Sequence, residues 1–282
     1  MKTDLSICIV NFNTKLILKK CLESIYKNTS GLNFEIIVID NASTDNSQEM
    51  IKTLFPKIKI TSKKTNMYFS KGYNLALKKS LGKYCLILNS DTIIPKNTLK
   101  KVFQFMESNL HIAAASCRHI DESGETDRTC SRFPTPPIEF LESSILTKLF
   151  KNASLLKRYR YKGWNRKSNK IVDVIPGSFI FIKRNILQEI GYFDEKLLLF
   201  YGENDLCARI KKIGKFCYHF SEAKITHLRA QSVNLLPKGQ LYRIARHDML
   251  YYYKKHFGAT WWLLLFIALT PNWIYWRIKS FK

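Results

Sequence analysis

The chain has 282 residues, of which 46% are hydrophobic, so it can bury one large core or a core with a small appendage. This apolar content excludes an intrinsically disordered protein. The formal net charge of +24 predicts attraction to an anionic partner, such as nucleic acid, anionic lipid or a phosphorylated ligand.

Strand-like and helix-like patterns alternate through the first half of the chain. Continuous apolar runs predict buried strands, and apolar residues at helical spacing predict the helices between them. The predicted strands are Leu5–Val10, Phe34–Asp40, Lys57–Ile60, Tyr84–Asn89 and Ile112–Cys117, and the predicted helices are Lys15–Tyr26, one capped by Asp45 with Gln48, Gly72–Ser80 and Asn97–Ser108. This order predicts a Rossmann-like α/β sheet flanked by helices, with ligands bound beyond the carboxyl ends of the strands.

The second half of the chain is less regular. Residues 119–172 contain a proline-rich turn and a predicted helix around Ile138–Phe150. From Ser143 to Val172 there are nine Lys or Arg residues and no Asp or Glu. Residues 171–230 return to strand-like and helical patterns, and Leu241–His256 is a predicted helix.

The carboxyl-terminal segment, residues 231–282, is basic and rich in tryptophan. Its apolar stretch Trp261–Leu269 is shorter than the ~20 residues of a membrane-spanning helix, and Pro271 interrupts it. Aromatic residues flanked by basic ones are typical of a helix at a membrane interface. We therefore expect a helix that lies on or dips into an anionic membrane surface, with a buried last helix as the structural alternative.

The cysteines and the amino terminus predict a cytoplasmic protein. The seven cysteines are odd in number, form no C-x-x-C pair and lie partly in apolar runs, which favours buried free thiols in a reducing compartment. The amino-terminal apolar run is too short for a signal peptide or a membrane span.

Polar residues follow three of the predicted strands. Asn11 and Asn13 follow the first strand, residues 40–45 (DNASTD) follow the second, and Asn89 and Asp91 follow the strand at Tyr84. Because ligands in such sheets bind at the carboxyl ends of the strands, we expect these side chains to converge at one edge.

The carboxylates among these residues have a functional and a structural interpretation. Asp40 can accept hydrogen bonds from a nucleobase or a ribose, whereas a turn and a helix cap would explain Asp40 and Asp45 without a ligand. Asp91 offers the oxygen ligands that hard divalent cations prefer, and such a cation would neutralise a departing diphosphate. Asn89 would add an amide oxygen or contact a sugar.

In their order, these motifs resemble the family 2 glycosyltransferases of GT-A fold, and most of all the rhamnosyltransferase-like enzymes of bacterial polysaccharide synthesis. The resemblance runs from Leu5 to Ser232, with a weaker similarity at 251–258. It rests on VNFN, VIDNASTDNS, NMYFSKGYN, LILNSDT, PGSFIFIKR, GYFDE, YGENDLCAR and ITHLRAQS. It implies a GT-A mixed sheet, inverting transfer of a sugar, rhamnose among the candidates, from a nucleotide-diphosphate donor, and Mg²⁺ or Mn²⁺ as cofactor.

The resemblance also implies roles for single residues. Asp40 would contact the nucleotide base, and Asp91 would bind the metal that bridges the donor diphosphate. His227 would meet the metal or the diphosphate, with an ordinary histidine at a sheet edge as the alternative. The residues expected at the nucleotide-sugar site are Asn11, Asn13, Asp40, Asn41, Ser43, Asp45, Asn66, Gly72, Asn74, Asn89, Asp91 and Gly177.

The general base is expected in the segment Gly202–Asp205. An inverting transfer needs a carboxylate that faces the acceptor hydroxyl. The family often carries E-D-x-D here, whereas this chain has Glu203-Asn204-Asp205 after the glycine. Aligned without a gap, Glu203 falls at the base position and Asp205 at the following acid; with a gap, Glu203 corresponds to the family's Glu. We predict Glu203 as the base, with Asp205 orienting it or anchoring the helix.

A second departure from the family lies at Tyr68 and Ala76, where glycines are usual. A tyrosine at position 68 would narrow the donor pocket, stack on the base or accompany a loss of activity.

These expectations define a glycosyltransferase domain over residues 1–230, with a nucleotide-binding half at 1–118 and an acceptor-binding half at 119–230. Residues 231–282 would be a membrane-associating extension at the inner face of the cell membrane. The expected acceptor is a hydroxyl of a lipid-linked glycan, lipopolysaccharide, capsule or O-antigen.

The alternative functions are an inactive nucleotide-sugar-binding scaffold and a nucleic-acid-binding protein. No nucleic-acid partner is expected because no binding module is recognisable, and a dehydrogenase would need a G-x-G-x-x-G motif.

Overall fold

A computed structural model of the protein describes residues 3–143, 153–228, 231 and 233–279. Within these residues, nine strands form one mixed sheet with helices on both faces. The strands are β1 Leu5–Asn11, β2 Phe34–Asp40, β3 Lys59–Ser62, β4 Tyr84–Asn89, β5 Thr92–Ile93, β6 Ile112–Ile120, β7 Lys170–Val172, β8 Phe179–Lys183 and β9 Phe216–His227. The helices are α1 Lys15–Asn28, α2 Ser47–Leu54, α3 Tyr68–Lys78, α4 Thr98–Ser108, α5 Pro136–Ser143, α6 Ser154–Tyr159, α7 Arg184–Ile190, α8 Gly202–Lys212, α9 Lys238–Phe257 and α10 Ala259–Lys279.

The sheet order is β3–β2–β1–β4–β8–β6–β9–β5, with β7 paired to β9. Strands β3, β2, β1 and β4 are parallel, so their carboxyl ends lie at one edge. Strand β8 runs antiparallel between β4 and β6, which makes the sheet mixed. The short strand β5 pairs antiparallel with the end of β9, which brings distant parts of the chain to the same edge.

Two apolar clusters cover the two faces of the sheet. One contains Leu18 of α1 and Val102 of α4, and the other contains Tyr73 of α3 and Leu206 of α8. Because both faces are covered, the central strand β4 is buried along almost its whole length, which explains its continuous apolar sequence.

The predicted bounds of Phe34–Asp40 and Tyr84–Asn89 are correct. Helix α3 begins earlier than predicted, at Tyr68, because the carbonyl oxygen of Leu198 accepts hydrogen bonds from the backbone N–H groups at the start of the helix. The helix expected at Ile138–Phe150 is present as α5, and its remaining residues lie outside the described part of the chain.

The seven cysteines are free, and six of them are buried, which confirms the prediction of unpaired thiols.

The last two helices pack against the body of the protein. Helix α10 buries Leu265 and Leu269 in a cluster with Leu197, Met249 and aromatic residues of α9. Its outward side carries exposed apolar residues and no charge between residues 259 and 274. No helix in the described part of the chain has the length and apolar character needed to cross a bilayer.

Candidate active site

Asp40 lies at the carboxyl end of β2 and is completely buried. Its carboxylate accepts hydrogen bonds from the Asn11 amide at 3.0 Å, the Ser43 backbone N–H at 3.1 Å and the Gln48 amide at 2.8 Å. These three donors satisfy the buried carboxylate. The Gln48 half of the expected capping box is incorrect, because Gln48 donates to Asp40 instead, whereas Asp45 does accept a hydrogen bond at the start of α2.

A hydrogen-bonded chain connects Asp40 to the turn after β4. The Asn11 amide nitrogen donates to Asp40, and the Asn11 amide oxygen accepts from the Thr14 hydroxyl at 2.7 Å. The Thr14 hydroxyl in turn lies 3.1 Å from the Ser90 hydroxyl. Ser90 directly precedes Asp91. The ends of β1, β2 and β4 are thus linked by polar side chains, as the sequence predicts.

Asn13, Ser43 and Asp45 hold the turns around this edge. The Ser43 hydroxyl accepts from the backbone N–H of Asn13 at 3.0 Å, and the Asn13 side chain accepts from the N–H of Thr44 at 2.7 Å. Asp45 accepts from the backbone N–H groups of Lys15 at 2.7 Å and Ser47 at 3.0 Å, at the starts of α1 and α2. Asp45 is therefore a cap for two helices, which is the structural alternative considered for it.

Asp91 and His227 meet because Thr92 of β5 pairs with His227 of β9. Asp91 Oδ1 lies 3.2 Å from His227 Nε2, and both atoms are buried without a hydrogen-bond partner in the described structure. The second oxygen of Asp91 accepts from the backbone N–H of Gln231 at 3.4 Å. A buried pair of this kind is costly unless a further group satisfies it.

The chemistry of this pair fits a divalent cation. A carboxylate oxygen and an imidazole nitrogen are both ligands of Mn²⁺-type ions, and Mg²⁺ commonly takes one or two carboxylates with phosphate and water completing its shell. Within the described residues there is no cluster of three or more His, Cys, Asp or Glu that could hold a metal without such additional ligands. The pair therefore fits an ion whose remaining ligands come from a bound diphosphate and water.

A small cavity of about 90 Å³, which we name the strand-edge cavity, lies beside these strand ends. Three residues of the predicted site line it, namely Asn41, Asn66 and Asn89. The lining also includes Tyr68, Phe69, Tyr73 and Ser90, which were not predicted as site residues. Asp40 and Asp91 are direct chain neighbours of Asn41 and Ser90 but are not themselves part of its lining. The cavity therefore lies next to the residue that follows Asp40 and the residue that precedes Asp91.

Tyr68 adopts a backbone conformation that favours glycine, with φ of 58°. A non-glycine residue there costs roughly 1–2 kcal/mol, and the neighbouring contacts hold it in place. The Asn66 side chain accepts from its N–H at 2.8 Å, and the Asn41 amide donates to its carbonyl at 3.0 Å. Its hydroxyl accepts from Gln240 of α9 at 2.8 Å, so the ring closes one side of the strand-edge cavity.

Two residues of the predicted nucleotide-sugar set serve packing. A Cβ on Gly72 would lie 3.1 Å from both methyl groups of Val10, so the glycine permits close contact between α3 and β1. The Asn74 side chain exchanges hydrogen bonds with the Phe193 backbone at 2.9 and 3.0 Å, away from the cavity. The structure does not bring Asn74 to the strand-edge cavity.

Glu203 lies in the first turn of α8 and lines a second cavity of about 550 Å³, which we name the Glu203 cavity. Burial raises the pKa of the Glu203 carboxyl above its usual value. A Cβ on Gly177 would lie 3.3 Å from Phe69 and 3.7 Å from Glu203 Oε2. Gly177 therefore lies between Phe69, which lines the strand-edge cavity, and Glu203, which lines the Glu203 cavity. A carboxylate with a raised pKa that lines a cavity suits general-base chemistry.

Asp205 is completely buried in an ion-pair cluster. Its Oδ2 lies 2.7 Å from Arg209 Nη2. Its Oδ1 lies 2.6 Å from Lys255 Nζ and 2.9 Å from His256 Nε2. Burial alone would raise the pKa of its carboxyl, but the His256 hydrogen bond and the charges of Arg209 and Lys255 lower it overall. Asp205 therefore joins α8 to α9 and is a weak base, which supports the anchoring role considered for it.

Replacing Asp205 with Asn should lower the free energy of unfolding by about 3–5 kcal/mol at pH 7, because Arg209 and His256 lose a completely buried carboxylate partner and Lys255 keeps only Asp194. The folded-state pKa of Asp205 is depressed, so its contribution is present above the unfolded pKa and is lost as pH falls through the folded value. Urea denaturation should show a constant difference between the two proteins from about pH 7 to about pH 5, and a difference that begins to narrow only as the pH falls below the unfolded pKa toward about pH 3. The matched control is Asp173→Asn, which removes an exposed pair with Lys211 of the same helix and should change stability by less than about 1 kcal/mol.

Asp248 is a buried acid whose role the sequence did not reveal. Its carboxylate accepts hydrogen bonds from the backbone N–H groups of Leu198, Leu199 and Phe200, at 3.0, 2.8 and 2.9 Å. The same loop caps α3 and leads into Glu203. Asp248 therefore positions the loop between the two cavities. The only feature of the sequence that could have indicated this role is that Asp248 is a lone acid in a basic helix.

A Glu139–tyrosine cluster, also missed, lies beside the Glu203 cavity. The buried Glu139 carboxyl accepts hydrogen bonds from the hydroxyls of Tyr201 at 2.5 Å and Tyr253 at 3.1 Å. Burial raises the pKa of Glu139. The cluster ties α5 and α9 to the residue that precedes α8.

The mixed sheet flanked by helices, with polar side chains gathered at the carboxyl ends of β1, β2 and β4, is an α/β fold of the nucleotide-binding type. Residues 6–191, more than half of the chain, match the family model described as glycosyl transferase family 2. The chain therefore belongs to the family 2 glycosyltransferases. This confirms the family, the enzyme class and the mixed α/β fold predicted from the sequence.

One individual relative agrees with this assignment. The low-salt glycan biosynthesis hexosyltransferase Agl10 of Haloferax volcanii is 26% identical over 216 residues, which are 75% of this chain and 63% of that protein. The chain thus matches less than two thirds of the length of this relative.

Solved structures share the fold at low sequence identity. One is the mannosyltransferase PcManGT from Pyrobaculum calidifontis in complex with GDP-Man and Mn²⁺, with a TM-score of 0.60 at 13% identity. The superposition covers 90% of this chain and 64% of the mannosyltransferase chain. Another is S. aureus TarS 1-349 in complex with UDP-GlcNAc, with a TM-score of 0.58 at 18% identity. That superposition covers 86% of this chain and 65% of the TarS chain.

Proposed function

We propose that the protein is an inverting, metal-dependent transferase that moves a sugar from a nucleotide-diphosphate donor to a hydroxyl of a glycan or lipid-linked acceptor. The observation that carries the proposal is the buried Asp91–His227 pair, whose facing atoms have no hydrogen-bond partner in the described structure. Solved structures of the same fold contain GDP-Man with Mn²⁺ or UDP-GlcNAc, which supports a donor of this class. Rhamnose, suggested by the sequence resemblance, is the first donor sugar to test.

The residues divide the reaction between the two cavities. The Asp40–Asn11 network would hold the nucleoside part of the donor beside the strand-edge cavity, and Asp91 with His227 would hold the ion at the diphosphate. Mg²⁺ or Mn²⁺ bound there would neutralise the negative charge of the leaving nucleoside diphosphate. Glu203 would accept the proton of the acceptor hydroxyl from the other side of Gly177, so that attack and departure occur on opposite faces of the sugar.

A thermal-shift screen tests the donor class directly. Nucleotide sugars of the dTDP, UDP and GDP types would be added with Mn²⁺ or Mg²⁺, since a ligand that binds the native state raises its melting temperature. We expect one nucleotide class to stabilise the protein only when the metal is present. Absence of stabilisation by all three classes would contradict the proposal.

The outer side of α10 supports a location at the cytoplasmic face of the membrane. Leu263, Leu264 and Ile267 are exposed there, and no charged residue lies between 259 and 274. Arg246 and Lys254 of α9 lie over aromatic rings of α10, and basic residues beside aromatic ones are typical of helices that bind anionic membranes. We propose that α10 lies in the membrane surface and brings the Glu203 cavity near membrane-bound acceptors.

Introducing two charges on this surface should release the protein from membranes. The variant Leu263→Glu/Ile267→Glu should bind vesicles of phosphatidylglycerol and phosphatidylcholine at least tenfold more weakly, because charge opposes apolar insertion. Cosedimentation measures this effect. The matched control Leu16→Glu/Leu110→Glu changes two other exposed leucines, on α1 and before β6, and should bind like the wild type. Equal binding by both variants would contradict the role of α10.

A further inference from the structure

A large basic cavity of about 770 Å³ lies in the segment that follows β6. We name it the basic cavity. Six basic residues and two acidic residues line it, and one of the acids, Glu142, is bound to Arg160 at 2.5 Å. The basic residues are Arg128, Lys157, Arg160, Lys162, Arg166 and Lys167.

Arg166 is a buried charge at the wall of this cavity. It is 1% exposed and donates to backbone carbonyl oxygens only, including those of Thr129 at 2.8 Å and Arg160 at 2.7 Å. These bonds satisfy its donors and order the segment, but they leave its positive charge without a carboxylate partner. A buried guanidinium of this kind contributes a positive potential to the space beside it.

Other cations of the basic cavity are also without acidic partners. Among the described residues, which include all 22 acids of the chain, none lies within 4 Å of the charged atoms of Arg128, Lys162 or Lys167. These three side chains are exposed and can reach a ligand. Several uncompensated Arg and Lys side chains around one cavity are the arrangement that binds phosphate groups.

The basic cavity is continuous with the Glu203 cavity. Both are lined by Arg128, Cys130, Ser131, Glu142 and Tyr159. A single ligand can therefore extend from the basic residues to the proposed general base, on the side of Gly177 away from the donor.

We infer that the acceptor carries a phosphate group, which the basic cavity binds while the accepting hydroxyl lies at Glu203. This inference rests on the proposed glycosyltransferase function. The phosphate belongs to the acceptor itself, as a phosphorylated glycan or a lipid-linked phosphate, and not to the headgroups of the surrounding bilayer. A neutral glycan would leave the charges of Arg128, Lys162 and Lys167 without an anionic partner.

The test compares two triple variants of the full chain. Arg128→Gln/Lys162→Gln/Lys167→Gln removes three charges from the basic cavity. The control Lys52→Gln/Lys57→Gln/Lys64→Gln removes three charges from exposed positions elsewhere. The probe is inorganic pyrophosphate in EDTA-containing buffer, measured by calorimetry, so that binding at the metal pair is suppressed.

We expect wild type and control to bind pyrophosphate alike and the cavity variant to bind at least tenfold more weakly, with a difference that shrinks as salt is added. No binding by the wild type, or equal binding by the two variants, would overturn the inference. Nucleotide-sugar binding with Mn²⁺ is measured on the same proteins and should be unchanged. If no protein binds a nucleotide sugar, the proposed function fails independently of the cavity.

Vesicles of phosphatidylglycerol distinguish an acceptor phosphate from a membrane headgroup. Both triple variants should bind these vesicles to the same extent, because the residues of the basic cavity bind the phosphate of the acceptor and not the lipid headgroups. Loss of vesicle binding in the cavity variant alone would show that the basic residues contact the lipid surface, and would overturn the assignment to the acceptor.

Discussion

Replacing Asp91 with Asn should reduce sugar transfer by roughly a thousandfold, because several kcal/mol of charge stabilisation at the leaving diphosphate would be lost. The substitution keeps the size of the side chain and removes the charge that faces His227 at 3.2 Å. Metal-dependent binding of the nucleotide sugar should weaken in parallel, which calorimetry with and without Mn²⁺ measures. Treating the wild type with EDTA should produce the same loss, and added Mn²⁺ should reverse it only in the wild type.

Two further variants delimit this result. His227→Gln should behave like Asp91→Asn, since both would remove one of two protein ligands to the same ion. Glu49→Gln, which alters an exposed acid on α2, should transfer at the wild-type rate. Turnover of Asp91→Asn at the wild-type rate would refute the metal role, whatever the behaviour of His227→Gln.

The parallel half of the sheet was predictable because its signals are local. A buried strand with helices on both faces must be apolar throughout, so Phe34–Asp40 and Tyr84–Asn89 were bounded correctly from their composition. Polar residues directly after such strands lie at the ligand-binding edge, which is where Asn11 and Asp40 are found. The glycosyltransferase family followed from the order of these motifs.

Contacts between distant segments were not predictable from local patterns. His227 faces Asp91 only because a two-residue strand, β5, pairs with the end of β9. Gln48 has the spacing of a capping box with Asp45, yet a tertiary hydrogen bond to Asp40 prevails. Asp248 accepts hydrogen bonds from three backbone N–H groups. Every residue except proline has such a group, so the sequence of the loop does not indicate that it binds an acid.

The two acids of the G-E-N-D run could be told apart only by their surroundings. Glu203 faces a cavity, and its pKa is raised by burial, whereas Asp205 is enclosed by Arg209, Lys255 and His256. The sequence placed both at the start of one helix, but it could not show that α9 brings Lys255 and His256 to Asp205. The structure therefore favours Glu203 as the proposed base.

Replacing Glu203 with Gln should lower kcat by roughly 10²–10⁴-fold with little change in donor affinity, since the amide cannot accept the acceptor proton. The wild-type rate should fall as pH drops through the raised pKa of Glu203, because only the carboxylate can act as the base. The residual rate of the variant should lack this acid limb. A pH–rate profile of both enzymes, with donor binding measured by calorimetry, separates a lost base from a damaged fold.

The comparison variants for Glu203 are Glu189→Gln and Asp205→Asn. Glu189 is an exposed acid of α7, and its replacement should leave both kcat and the acid limb unchanged. Asp205→Asn should lower stability, yet any folded fraction should keep the acid limb, because Glu203 would still titrate. If Asp205→Asn alone abolished the acid limb while Glu203→Gln retained it, the base would be Asp205 and the assignment made from cavity and burial would be wrong.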